Sequence, residues 1–222
     1  MPPPIPARPM GFPLGFSNGK QPKLKVELFQ DLCCPFSFKM MQTLQTGVLP
    51  VLKEKANSDP AKYADAIEFV IHPLAQPWHM QSCVQHETAH AVVHLLGKEK
   101  YWPFATTIMS QRYEKFSDHQ TCHMTRRQLH ALCLQLGVEA GVFTEAESET
   151  VNEFLKQFES EVTGSEPIMV VYKAMMAMSR FHRVRGVHMT PTVFLNDIEA
   201  PDIASGWTAE QWLEKIDQVL VA

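Results

Sequence analysis

One stretch, Leu24–Phe38, reading LKVELFQDLCCPFSF, constrains the fold more than any other part of the chain. The run from Leu24 to Phe29 is rich in Val, Leu and Phe and flanked by Lys23 and Lys25. It reads as a buried strand. A short loop then meets Cys34-Pro35. Proline suits the first turn of a helix, because its fixed φ matches the turn and its missing N–H would be unpaired there anyway. Pro35 therefore makes Cys34 the N-cap, with its sulfur expected to face free backbone N–H groups. The positive end of a helix dipole favours a thiolate over a thiol. A strand that delivers a cysteine to a helix start is a mount for a nucleophile. The plainer reading is that Cys34 is a small buried apolar residue.

Around this stretch the chain divides into four regions. Residues 1–22, rich in Pro and Gly, form an extended arm. Residues 23–73 hold the strand, a long helix over about 35–55 weakened by Gly47 and Pro50, a polar loop over 56–61, and a second strand over 66–71. Strand, helix, strand at this spacing is a βαβ unit with two parallel strands. Residues 74–164 read as helical almost throughout. The first helix ends at Gly97 and the second covers about 101–116. A third opens with the capping box Thr125…Gln128 and stops at Gly137, and a fourth opens with Thr144…Glu147 and runs past Phe158. Residues 165–222 begin with a helix after Pro167 that runs to Arg185-Gly186. Its methionines read as pliable core filling. A strand over 192–195, a turn at Asn196-Asp197 and a partner strand over 198–203 follow, with Pro201 marking an edge. The last helix opens with the box Thr208…Gln211 and carries Trp212, Ile216 and Leu220.

Composition excludes several classes. With 45% hydrophobic and 20% charged residues the 222-residue chain is globular, and a formal charge of −4 argues against nucleic acid as a partner. No run approaches the ~20 apolar residues that cross a bilayer. The five cysteines are odd in number and unevenly spaced. That is unlike a secreted disulfide framework, and it makes a reducing, cytoplasmic setting the expectation.

The order strand, Cys-Pro at a helix start, helical insertion, then Gly186-Val187-His188-Met189-Thr190-Pro191-Thr192 before a hairpin and a final helix resembles the DsbA-like class of thioredoxin folds. The resemblance implies an α/β thioredoxin-like fold: a mixed sheet of parallel βαβ plus antiparallel hairpin, with a helical insertion domain. It implies Cys34 as nucleophile, with Pro35, Phe36 and Ser37 building its mount. It also implies a cis bond at Thr190-Pro191, forming a ledge on which an extended substrate pairs beside the sulfur. Ser37 stands where the family has its resolving cysteine. A lone thiol can form a mixed disulfide but cannot release the partner through a second thiol of its own. The implied activity is then a monothiol oxidoreductase on a thiol or disulfide substrate, with no tightly bound cofactor and with glutathione as the resolving thiol.

Two other readings stay open. Ser37 also resembles the serine that kappa-class glutathione transferases and hydroxychromene carboxylate isomerases keep near this helix start. In that case Arg180, His182, Arg183 and Arg185 would meet glutathione's carboxylates, unless they only complement their own helix's dipole. Alternatively, the cleft binds a peptide with no redox step. Glu27 and Asp31 are the only acids near the nucleophile, and neither receives a role; Cys33 reads as a bystander, since a bond between adjacent cysteines demands strained geometry. His72, His79 and His188 lie near loops that can approach Cys34 and read as structural or exposed. His86-Glu87-Thr88-Ala89-His90 matches H-E-x-x-H, with His94 one turn on. The apolar stripe of the same helix (Val84, Thr88, Ala91, Val92, Leu95) puts these histidines on the opposite, solvent side. No third ligand is evident, so no metal is assigned.

Overall fold

Two apolar layers divided by one sheet dictate the architecture. The computed structural model describes residues 10–14, 21–157 and 166–221. Strand β2 (Leu24–Gln30) is central and buried along nearly its whole length. On one side it pairs in parallel with β3 (Ile67–Pro73), and on the other antiparallel with β4 (Thr192–Leu195). β1 (Phe12–Leu14) and β5 (Ile198–Glu199) close the two edges, giving the order β1-β3-β2-β4-β5. A strand between two others must bury both faces, and the continuous apolar run read from the sequence follows from that position.

Side chains alternate across the sheet. Leu24, Val26 and Leu28 join α1, α2 and the C-terminal helix α10 (Ala209–Val221) in one core. Trp212, Ile216 and Leu220 of α10 are buried there, each worth about 1.5–3 kcal/mol of transfer free energy. Glu27 and Phe29 face the other layer, which holds the insertion. The long helix after the cysteine is continuous but not uniform. α1 (Pro35–Thr43) passes through a π-helical turn (Leu44–Val48) into α2 (Leu49–Ser58). The wider turn lets the Leu49 N–H reach Leu44 O just before Pro50, which has no N–H to give. Gly47 is required here because a β-carbon would come within 2.7 Å of Ala209 Cβ at the start of α10.

The insertion consists of α4 (Ser82–Leu96), a 3₁₀ turn, α5 (Tyr101–Ser110), α6 (Asp118–Thr121), α7 (Arg126–Glu139) and α8 (Glu145–Lys156). α9 (Glu166–Val184) returns the chain to the sheet. The capping boxes at Thr125 and Thr144 form as read, and Thr208 and Gln211 exchange hydrogen bonds at the start of α10. Gly97 ends α4 with φ +110°. The hairpin turn at Asn196-Asp197 has both residues at positive φ, as a two-residue type I′ turn requires.

Several boundaries differ from the sequence reading. Gly137 does not stop α7: the helix continues to Glu139, and a side chain there would collide with Phe143. α5 ends at Ser110 instead of near 116, and the short α6 has its own capping box from Ser117 to Gln120. The polar loop expected over 56–61 is the end of α2 and the start of a four-residue helix, α3 (Pro60–Tyr63), capped by Asp59. β5 is two residues long, not six. Part of the expected arm is a strand, with β1 antiparallel to β3 and Phe12 stacked on Tyr101 at 4.1 Å. The continuation past Phe158 lies outside the described residues.

Candidate active site around Cys34

Sheet pairing brings the two informative stretches together. Phe29 of β2 lies opposite Thr192 of β4, so the residues just before Thr192 sit beside the loop that leaves β2. The Thr190-Pro191 bond is cis. Cys34 is the N-cap of α1 with Pro35 at the first helical position. Its Sγ does not cap the helix N–H groups as expected; it donates to the Thr190 carbonyl at 3.4 Å. Cys34, Thr190 and Pro191 are thus in one place, but the thiol is turned toward the ledge and is only 4% exposed.

Ser37 is fully enclosed, and its Oγ accepts the Asp31 N–H at 3.3 Å. That bond fastens the first turn of α1 to the exit of β2. Phe36, by contrast, is 60% exposed. Three more apolar side chains stand out in water nearby. Met189 (61%) precedes Thr190, and Trp78 (55%) and Met80 (58%) flank His79. The loop carrying Trp78 and Met80 is held at the site by two bonds: Gln76 Nε2 donates to the His188 carbonyl, and His79 reaches Asp31. Exposed apolar groups collected in one place are a common feature of surfaces that meet apolar partners.

Asp31 is the residue that sequence reasoning left without a role. Its carboxylate is fully buried, and both oxygens are used. Oδ1 accepts the Cys33 N–H (2.8 Å) and the Ser82 hydroxyl (2.7 Å), and Oδ2 accepts the Gln76 N–H (2.9 Å) and His79 Nδ1 (2.8 Å). Burial pushes its pKa up, but the bonds from His79 and the Cys33 N–H, with His86 close by, outweigh this and hold it well below the usual carboxylate range. One acid therefore ties together the cysteine turn, the 74–81 loop and the start of α4. Arg112 of the insertion donates from Nε to the Cys33 carbonyl and closes the turn from the other side. The Cys33 thiol is buried and next to Asp31, which together push it up to about 12. It stays protonated at neutral pH, and all five cysteines are unpaired.

Two of the three histidines of α4 do not face water. His86 and His90 are buried, and only His94 reaches the surface. α4 packs against α5, α7, α8 and α9 together, so it has no single apolar stripe. Glu87 of the H-E-x-x-H match is engaged by Arg126 Nε (2.8 Å) and His130 Nε2 (3.1 Å). Among the described residues no three His, Cys, Asp or Glu side chains converge as metal ligands.

A second carboxylate lies on the face toward α9. Glu27 Oε1 takes His72 Nε2 (2.9 Å), Arg185 Nη1 (2.8 Å) and Lys25 Nζ (3.2 Å). Arg185 also lies 4.1 Å over the Phe194 ring. His182 is buried in aromatic contact with Phe29. Arg185 and His182 are therefore committed inside the fold, while Arg180 and Arg183 are at the surface.

Neither a family model nor a curated protein sequence matches the chain. Solved structures do. A candidate protein-disulfide isomerase from Pseudomonas syringae superposes with a TM-score of 0.65 at 22% identity, covering 93% of this chain and 97% of that one. BdbD from Bacillus subtilis, in its oxidised form, gives 0.63 at 16% identity over 96% and 94%. The alpha-DsbA1 protein of Wolbachia pipientis, as a variant with two cysteines replaced by alanine, gives 0.60 at 12% over 98% and 92%. The five-stranded mixed sheet, the cysteine at the start of α1, the helical insertion and superposition over nearly the full length of each chain lead to one conclusion: this chain has the DsbA-like form of the thioredoxin fold.

Proposed function

We propose that the protein is a thiol-disulfide oxidoreductase that works through Cys34 alone on apolar, extended peptide segments. The observation that carries this reading is the placement of Cys34 Sγ at the start of α1, 3.4 Å from the carbonyl that precedes cis-Pro191. Phe36, Trp78, Met80 and Met189 provide the apolar contact area around it.

In the chemical step, the Cys34 thiolate attacks one sulfur of a substrate disulfide. The electron pair of that S–S bond leaves on the other sulfur, which takes up a proton. The resulting mixed disulfide is opened when a second thiolate attacks the substrate sulfur and Cys34 departs as thiolate. If the second thiol belongs to the substrate, the disulfide has been rearranged with no net redox change. If it is glutathione, the products are one substrate thiol and one substrate–glutathione disulfide. Ser37 cannot take this part, and Cys33 is held as a thiol, so the resolving thiol comes from outside the fold. Five unpaired cysteines, Cys83 and Cys122 exposed among them, fit a reducing compartment such as the cytoplasm.

The test is glutathione-dependent turnover of a fluorogenic peptide disulfide with an apolar sequence. Cys34→Ser is expected to lower the rate at least about 100-fold, and Cys33→Ala to leave it within about twofold. Retained turnover in Cys34→Ser would refute the assignment.

The low exposure of Cys34 favours one further reading, a cleft that binds the same peptides without chemistry. It is distinguished by equal peptide affinity in wild type and Cys34→Ser, with no turnover in either. The enclosure of Ser37, whose oxygen already receives the Asp31 N–H, gives the transferase reading no comparable support.

A further inference from the structure

The residues just before Pro191 have their carbonyls already bonded to side chains. The His188 carbonyl accepts from Gln76 Nε2 (3.3 Å), the Met189 carbonyl from Thr192 Oγ1 (2.8 Å) and the Thr190 carbonyl from Cys34 Sγ (3.4 Å). The backbone N–H groups of His188, Met189 and Thr190 have no partner among the described residues. An extended peptide pairs with a strand through N–H and carbonyl groups alike, so only the N–H half of this ledge is open at rest. Cys34 and Thr190 are both buried, and the sulfur between them shuts a peptide out of the Thr190 oxygen.

The three donors are not equivalent. The Gln76 amide and the Thr192 hydroxyl keep their protons at neutral pH, so their bonds are permanent. Cys34 alone gives up its proton in order to react, and a thiolate has nothing to donate. Once ionised, the sulfur faces the lone pairs of the Thr190 oxygen, and that contact repels. A better place lies at the start of its own helix. The Phe36 and Ser37 N–H groups receive no side-chain cap, and Cys34 has the extended backbone (φ −76°, ψ 123°) from which an N-cap side chain reaches them. Rotation about the Cα–Cβ bond moves the sulfur between carbonyl and helix.

We propose that the Cys34 sulfur has two positions and that these gate the ledge. As a thiol it lies on the Thr190 carbonyl and closes it. As a thiolate, its proton passed to the solvent, it moves to the Phe36 and Ser37 N–H groups and leaves that carbonyl open to a backbone N–H of an extended peptide. Peptide and thiol compete for one oxygen, so by linkage a docked peptide raises the thiolate fraction of Cys34. The gate rests on the reading of Cys34 as the reactive residue of a peptide cleft, and adds that docking itself activates the sulfur.

The probe is a fluorescein-labelled, cysteine-free apolar hexapeptide, with a set of analogues in which one backbone amide at a time is an ester and lacks its N–H. Anisotropy gives their affinities for full-length Cys34→Ser, whose hydroxyl keeps the donor, and Cys34→Ala, which has none. Cys34→Ala should bind the all-amide peptide about fivefold tighter than Cys34→Ser. One ester position should erase that difference, because the peptide then brings no donor to the Thr190 oxygen. In wild type at pH 7, saturating unlabelled peptide should raise the thiolate absorbance near about 240 nm at least about twofold, with no change in Cys34→Ser. This readout stands even if Cys34→Ala does not fold. The gate is overturned by no saturable binding, by equal affinity of the two variants, by a difference that survives every ester position, or by unchanged absorbance at saturation. Glutathione-dependent turnover that needs Cys34 would keep the proposed chemistry standing through any of these results. The expected affinities with no turnover in wild type would keep the gate and refute the oxidoreductase reading.

Discussion

Asp31 and Glu27 stand four residues apart, on β2 and at its exit, and both are buried, yet they are wired in opposite ways. Asp31 spreads four donors evenly over two oxygens, most of them backbone or short side chains. Glu27 gathers three long cationic or imidazole donors on one oxygen and leaves the other enclosed without a partner. A carboxylate with every lone-pair direction filled acts as a joint and has nothing to offer a ligand. The difference separates a joint that builds the Cys34 turn from an ion cluster that ties the end of α9, through Arg185, to β2.

The largest expected effect comes from breaking the joint. Asp31→Ala leaves the Cys33 and Gln76 N–H groups, the Ser82 hydroxyl and His79 without their shared acceptor. It should cost about 3–5 kcal/mol in urea unfolding and should make Cys33 accessible to alkylation. A cost under about 1 kcal/mol would mean that the network is not the anchor of the turn.

Acid sharpens the comparison next. Burial holds the His90 and His182 side chains down at about 3. In the unfolded chain they protonate near 6.5, so between about 6.5 and 3 the unfolded state binds more protons and stability falls as pH falls. Each contributes a slope of up to about 1.4 kcal/mol per pH unit, and His182→Leu should remove one of the two. Glu27 adds to the loss at lower pH. Burial raises its pKa, but His72, Arg185 and Lys25 outweigh this and bring it to about 2. Its contribution is therefore present above about 4.5 and fades as pH drops toward 2. Thermal melts of wild type and His182→Leu between pH 7.5 and 4 check the slope.

Glu27→Gln should destabilise by about 2 kcal/mol, less than Asp31→Ala because Lys25 and Arg185 lie close enough to the surface to regain water. Equal costs for the two acids would dissolve the distinction drawn between them. The smallest effect is expected for Ser82→Ala, which removes one of four donors from Asp31 and should cost about 1 kcal/mol.

Features set by neighbouring residues were legible in the sequence. Cys34-Pro35 as a helix start, the capping boxes at Thr125, Thr144 and Thr208, the Asn196-Asp197 turn and the strand after Pro191 each depend on a few consecutive residues. What escaped depends on segments distant in the chain. The role of Asp31 is decided by a loop that begins more than forty residues later, and nothing in the letters around Asp31 announces it. The burial of His86 and His90 follows from α4 packing against four other helices, whereas a periodicity argument assumes a single buried stripe. Gly137 stays helical because Phe143 folds back on it, and β1 exists because β3 offers an edge. The direction of the Cys34 sulfur belongs to the same class: local rules place it on the helix dipole, but Thr190, 156 residues away, supplies the nearer partner.

The central claim is that Cys34, and no other thiol in this fold, accepts a substrate sulfur. The direct measurement is to expose a Cys83→Ser/Cys122→Ser protein to one equivalent of an apolar peptide disulfide at pH 7, quench with acid, and map the adduct by mass spectrometry. One mixed disulfide on Cys34, with Cys33 and Cys133 unmodified, is the expected result. An unmodified Cys34, or an adduct on Cys33 in the folded protein, would contradict the account.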